Sequence, residues 1–269
     1  QGANVWIDFI SGTGPNWIDE LNEATSLAGV SDFTEAERAT IESNILSSLE
    51  TTYEDFVVVF SLTDPGGSRE RINMGATTSG TSIYGSAPFD FLNDFTSTQS
   101  IYTANFDNFL ESYESRATQI AEISTSLAGT IAHELGHSFG VRHQASYGTD
   151  GIEPDSYSNT GGLQNSHIMA TGGTGLSETE RETARTFSRW SRLSMETADV
   201  YPLVASPLPH SGEALSDAGD TPASAQILRL VYAPVSGFNA AVVVGAEIDP
   251  PPLGSSTYDV DVYSFSAQS

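Results

Sequence analysis

The sequence predicts an α+β fold followed by a short β-rich extension. Three observations carry that prediction. Apolar runs of strand length alternate with turn residues through the first third of the chain. Two long stretches, 34–53 and 115–139, repeat apolar residues at helical spacing. Prolines at 202, 207 and 209 then mark a linker, and the composition changes beyond it. The expected organisation is one large domain over 1–204 and a linker with a small β-rich extension over 205–269.

Residues 5–10 read as the first strand, followed by a turn containing Gly, Pro and Asn. Thr34 can cap the first long helix, and Glu35 and Glu37 favour its start through the helix dipole. Ile41, Ile45, Leu46 and Leu49 form its apolar side. Residues 56–62 are an apolar strand ended by Asp64-Pro65-Gly66-Gly67. Residues 71–78 suggest another strand, and 101–106 the last. In the second long helix Ile120, Ile123, Leu127, Ile131 and Leu135 line one face, which marks it as buried. Residues 144–164, rich in Gly, Asp, Ser and Asn, read as a loop. A further helix opens at Ser177, with Glu180 at the capping-box position, and runs to about Thr197.

The second long helix ends in His133-Glu134-Leu135-Gly136-His137-Ser138-Phe139-Gly140-Val141-Arg142-His143. The chain has five histidines, and three fall here. On a helix His133 and His137 are about 40° apart around the axis and about 6 Å apart along it, so both can reach one ion. Glu134 is not needed as a ligand and can lie beside a metal-bound water. Gly140 can take a backbone conformation that stops the helix and turns the chain. The turn brings His143 back as a third nitrogen ligand. Three neutral ligands with one open position describe a catalytic zinc site rather than a closed structural one.

The pattern H-E-x-x-H-x-x-G-x-x-H resembles the zinc signature of the metzincin metallopeptidases, which also carry a methionine in a tight turn after the third histidine. Asn165-Ser166-His167-Ile168-Met169-Ala170-Thr171-Gly172 offers that turn. The resemblance implies that Met169 forms an apolar floor under the zinc ligands without binding the metal. It also implies a secreted zinc endopeptidase with Glu134 as general base. The order of a strand, a long helix and a set of strands ahead of the zinc helix is similar to the metzincin order. In that family a strand near 83–88 would form the sheet edge above the cleft and pair with an extended peptide substrate. Phe187-Ser188-Arg189-Trp190-Ser191 resembles a segment of the adamalysin (reprolysin) branch, although Trp190 replaces a disulfide cysteine and Gln144 an aspartate. The stretch from Asp217 to Ala225 resembles the opening of a bacterial pre-peptidase C-terminal domain, and Gly245–Ile248 and Asp259–Phe265 fit its later pattern.

Composition bounds the partners. The chain has 35 acidic and ten basic residues, a net charge of −25, and every basic residue is Arg. Such a surface repels nucleic acid and anionic membranes. No stretch has the length of a membrane span. The absence of Cys excludes disulfides and a cysteine-ligated latency switch within this chain. The chain starts at Gln1, and the expectation is a secreted bacterial monomer that has lost a signal peptide and propeptide. Calcium is a secondary expectation. Asp90 with Asn93, the loop residues Asp150, Glu153 and Asp155, and Asp259 with Asp261 are the candidate ligands, with solvated carboxylates the commoner reading. The alternative function is a catalytically silent fold used for binding or adhesion, against which the intact Glu134 and three ligands argue. A structural zinc site would need a fourth protein ligand, and His167 is the nearby histidine. His210 lies in the linker and reads as solvated. Zinc hydrolysis of a non-peptide substrate is a third rival that motif geometry leaves open.

Overall fold

The computed structural model describes residues 3–9, 16–76, 83–90, 96–141, 167–169, 178–187, 191–192 and 195, and the backbone of 226–227, 231–233, 238–240 and 263–264. The chain divides into two compact units, Gln1–Pro202 and Leu203–Ser269.

The first unit is built on a five-stranded mixed sheet with helices. Strands β1 (Ala3–Asp8), β2 (Val58–Ser61), β3 (Glu70–Met74), β4 (Gly85–Ser86) and β5 (Thr98–Ile101) lie in the order β2-β1-β3-β5-β4. All pairs are parallel except β4 with β5, whose register sets Gly85 opposite Ile101. The strand expected near 83–88 is thus short and lies at the sheet edge. Val5, Ile7, Ile72, Met74 and Ile101 are fully buried. On the other face of β1, Trp6 lies under the guanidinium groups of Arg69 and Arg71, and buried Asp8 accepts from Arg71 Nη2 at 2.6 Å.

Helix α2 (Glu35–Thr52) starts where the sequence places it. Thr34 Oγ1 accepts from the Glu37 N–H at 3.3 Å, and Glu37 Oε2 accepts from the Thr34 N–H at 2.7 Å. This capping box satisfies two backbone donors reciprocally. Ile41, Ile45 and Leu49 of α2 and Ile123, Leu127, Ile131 and Leu135 of α3 (Arg116–Ser138) are all fully buried, and the two helices pack together. Each such side chain contributes about 1.5–3 kcal/mol of apolar burial. Arg116, at the start of α3, ties the two helix starts: Nε donates to Glu37 Oε1 at 2.9 Å.

That contact sets an acid response. The Arg116 hydrogen bond, with further ones from Thr34, lowers the Glu37 carboxyl from 4.5 to about 2. A carboxyl depressed in the folded state stabilises above its unfolded pKa and loses that contribution as pH falls. Thermal unfolding of Glu37→Gln should therefore lie below wild type at pH 5, with the gap closing as pH falls from 4.5 toward 2. A gap of constant size across that range would remove Glu37 as the cause.

Three elements differ from expectation. Helix α1 (Trp17–Ala28) was not expected. Asn16 Oδ1 accepts from the N–H groups of Ile18 and Asp19, and Trp17, Leu21 and Ala24 form its buried side. The last strand of the sheet ends at Ile101, and Thr103–Phe109 is a 3-10 helix instead of strand. The cause is spacing. Thr103, Phe106 and Phe109 recur every three residues, a 3-10 turn places them on one face, and all three are fully buried. The helix expected over 177–197 is interrupted: α4 (Glu178–Arg181) ends at Arg181, and among the described residues helix returns at Ser191, Arg192 and Met195. Thr186 then forms a parallel bridge with His167 and accepts from the Ile168 N–H at 2.9 Å. Thr183 and Thr186 are weak helix formers, so the tertiary bridge wins over local helix.

In the second unit the backbone shows two small pairings. Strand β6 (Gln226–Ile227) runs parallel to β9 (Tyr263–Ser264), and β7 (Val231–Ala233) runs antiparallel to β8 (Phe238–Ala240).

Candidate active site

The site is built on the last two turns of α3. Ser115 caps the helix start by accepting from the Thr118 N–H. At the far end Gly140 has φ +78°. The Val141 N–H donates to Gly136 O at 2.9 Å and the Gly140 N–H to His137 O at 3.2 Å. These two bonds form a Schellman motif and stop the helix at the glycine the sequence singled out. Arg142, His143 and the expected loop to Gln164 lie outside the described residues.

His133 and His137 share one helix face, with ring centroids 4.9 Å apart and planes at 90°. His133 Nδ1 lies 2.8 Å from Ile168 O, and His137 Nδ1 lies 2.7 Å from Val141 O. A carbonyl oxygen only accepts, so each Nδ1 carries the proton and each lone pair sits on Nε2. Neutral imidazoles oriented by Nδ1–H bonds to backbone carbonyls fit zinc. Among the described residues no group of three or more His, Asp or Glu side chains that could hold a metal is present. The third expected ligand, His143, lies outside them. So do Asn93, Asp150, Glu153, Asp155, Asp259 and Asp261 of the calcium expectation. Asp90 is buried, and its N–H donates to His137 O at 3.1 Å.

Glu134 follows the first imidazole and is 7% exposed. Burial pushes its carboxyl from 4.5 up to about 7. A group near neutrality can both take and return a proton. The carboxyl lies against the edge strand. A Cβ added at Gly85 would stand 2.7 Å from Glu134 Oε1 and Cγ. Gly85 thus leaves the room that the carboxyl occupies.

Met169 is fully buried beneath the helix. A Cβ on Gly136 would meet its sulfur at 2.8 Å and Phe187 Cε1 at 3.4 Å. The sulfur therefore seats on the bare Cα of Gly136, one residue before His137. The residues after Met169 in the expected turn, Ala170 to Gly172, lie outside the described residues. His167 is buried beside Met169, in the bridge to Thr186. Gly85 and Gly136 escape a motif reading. The available signal was Gly136 inside a helix, where glycine costs about 1 kcal/mol against Ala and needs a packing reason.

A polar cluster fixes the same end of α3 on the sheet. Ser138 follows His137, and its hydroxyl accepts from Gln99 Nε2 and lies 3.0 Å from Ser97 Oγ. Gln99 Nε2 also donates to Glu70 Oε2 at 2.7 Å. Burial raises the Glu70 carboxyl, which these hydrogen bonds partly offset.

The arrangement is a buried carboxyl and two oriented imidazoles on the same two turns of a helix, with the carboxyl packed against a sheet edge. Neither a family model nor a curated protein matches the chain. Two solved structures are remotely similar to it. Archaemetzincin from Methanopyrus kandleri is 14% identical, with 72% of this chain and 93% of that chain covered and a TM-score of 0.28. A zinc-dependent peptidase from Methanocorpusculum labreanum is 12% identical, with 72% and 100% covered and a TM-score of 0.29. Likenesses this distant leave the reading of the site to its own side chains.

Proposed function

We propose that the chain is a secreted zinc endopeptidase of the metzincin type, with zinc held by His133, His137 and His143. The observation that carries this reading is the Glu134 carboxyl, buried against the edge strand, on the helix that presents the paired imidazoles. Zinc, when bound, supplies Lewis acidity that activates water and polarises a carbonyl. Glu134 takes the proton of the attacking water and passes it to the departing amine. The Nδ1–H bonds to Ile168 O and Val141 O hold both imidazoles in the ligating tautomer. Met169 and Gly136 fix the depth of the helix. The free edge of β4 offers backbone groups to an extended peptide, which lays the scissile bond beside Glu134.

Cleavage of casein by zinc-loaded protein tests the reading. Removal of zinc with a chelator should abolish cleavage, and one equivalent of zinc per chain should restore it. Zinc binding at one per chain with casein left intact would favour the alternative, a silent binding module.

The Gly85 contact gives a second test. Gly85 has an ordinary backbone conformation, and the atoms a Cβ would meet belong to the flexible Glu134 side chain. Gly85→Ala should therefore fold normally but turn the carboxyl aside. A misplacement of about 1 Å can cost about 100-fold in rate. We expect a loss of that order in casein cleavage, with the melting temperature little changed. An unchanged rate would separate Glu134 from the chemistry.

A further inference from the structure

Arg185 is 8% exposed. Among the described residues no carboxylate forms an ion pair with it, and its Nε and Nη1 have no hydrogen-bond partner. This is unexpected in a chain with 35 acidic residues and ten basic ones. Burial, followed by the nearby Arg181, lowers its pKa to about 10, with the Glu180 carboxylate as a smaller opposing influence, so the guanidinium is charged at neutral pH. A buried charge without a partner is costly, and proteins avoid it unless something compensates.

A cavity of about 340 Å³ adjoins this side chain. Its wall includes Ser47 and Thr51 of α2, Thr125 and Gly129 of α3, and Arg185 and Arg192. The Arg185 Nη2 lies against Gly129, 3.0 Å from where a Cβ would stand, so the guanidinium reaches the wall where α3 has no side chain. The hydroxyls can donate to or accept from a ligand. Arg192 adds a second positive charge and is itself paired with Asp55. Glu54 is the one carboxylate on the wall, and it is exposed.

We propose that this cavity binds a small oxyanion of the phosphate or carboxylate class, with Arg185 as its main partner and the Ser and Thr hydroxyls completing the hydrogen bonds. Nη2 can donate a charge-assisted hydrogen bond to an oxygen of such a group. The site is separate from Glu134 and requires no catalytic activity.

The test is thermal unfolding of the whole chain with inorganic phosphate, acetate or chloride at matched ionic strength. The net charge of −25 repels anions in general, so a saturable effect reports a specific site. Phosphate or acetate should raise the melting temperature by about 5 °C at a hundred times its dissociation constant, and chloride should not. The more effective anion identifies the class. Arg185→Gln should abolish the rise. In the absence of anion this variant should be at least as stable as wild type, because it removes an unpaired buried charge. Arg185→Met makes the same test with an apolar side chain. Equilibrium dialysis of the wild type with phosphate and acetate should find one site per chain, whatever the variants do. No saturable binding of either anion, or binding that persists in a folded Arg185 variant, overturns the proposal.

Discussion

Glu134→Gln should lose casein-cleaving activity by about 100- to 10,000-fold, the range expected for removal of a general base. The amide has the size of the carboxyl and fits the same space beside Gly85, so the loss should not come from repacking. It cannot accept a proton from water. Glu134 is not among the proposed zinc ligands, so the variant should keep one zinc per chain and an unchanged far-ultraviolet spectrum. Rate, metal content and fold measured on one preparation separate the causes. Full activity in the variant would show that another group is the base or that a contaminant cleaves the casein. Lost activity together with lost zinc would make Glu134 a ligand, against the assignment.

Tyr53→Ala should lower stability by about 3–5 kcal/mol, the range for removal of a large buried ring. Tyr53 ends α2 and meets Phe56, Phe60, Phe139 and Phe187, with ring centroids 5.2–6.4 Å apart. Its hydroxyl donates to Ala132 O at 3.0 Å, directly before His133. Loss of the ring therefore opens a cavity at the meeting point of α2, α3 and the chain after α4. At about 2–4 °C per kcal/mol the melting temperature should fall by roughly 6–20 °C. Tyr53→Phe keeps the ring and leaves the hydrogen bond unmade, which should cost about 1–3 kcal/mol. Equal losses in the two variants would place the effect in the hydroxyl alone. A loss below about 1 kcal/mol for Ala would refute the central position given to this ring.

The long helices were legible because their signals are local. Thr34, Glu37, Ser115 and Gly140 mark ends, and the isoleucine and leucine spacing marks faces. The two imidazoles and Glu134 were legible for the same reason, since a helix converts their spacing directly into geometry. The misses share a different cause. Helix α1 was hidden behind a Gly, Pro and Asn approach whose last residue, Asn16, is itself the cap. The first part of the 3-10 helix, residues 103–106, was read as strand because aromatic residues suit both, and only the three-residue burial period distinguishes them. Helix α4 stops because Thr186 finds a partner in Ile168, a contact no local pattern encodes. Gly85 and Gly136 matter through what lies opposite them, Glu134 and Met169, which are distant in sequence.

Ile168 links two distant parts of the chain: its carbonyl holds the His133 ring, and its N–H binds Thr186. During synthesis α3 can therefore emerge from the ribosome complete, with both imidazoles on one face, well before His133 has its steering acceptor. Orientation of the His133 ring is a late event that waits for Ile168 and for its partner Thr186. A nascent chain arrested before Ile168 would carry the five-stranded sheet and both long helices yet leave the His133 ring without the carbonyl that orients it.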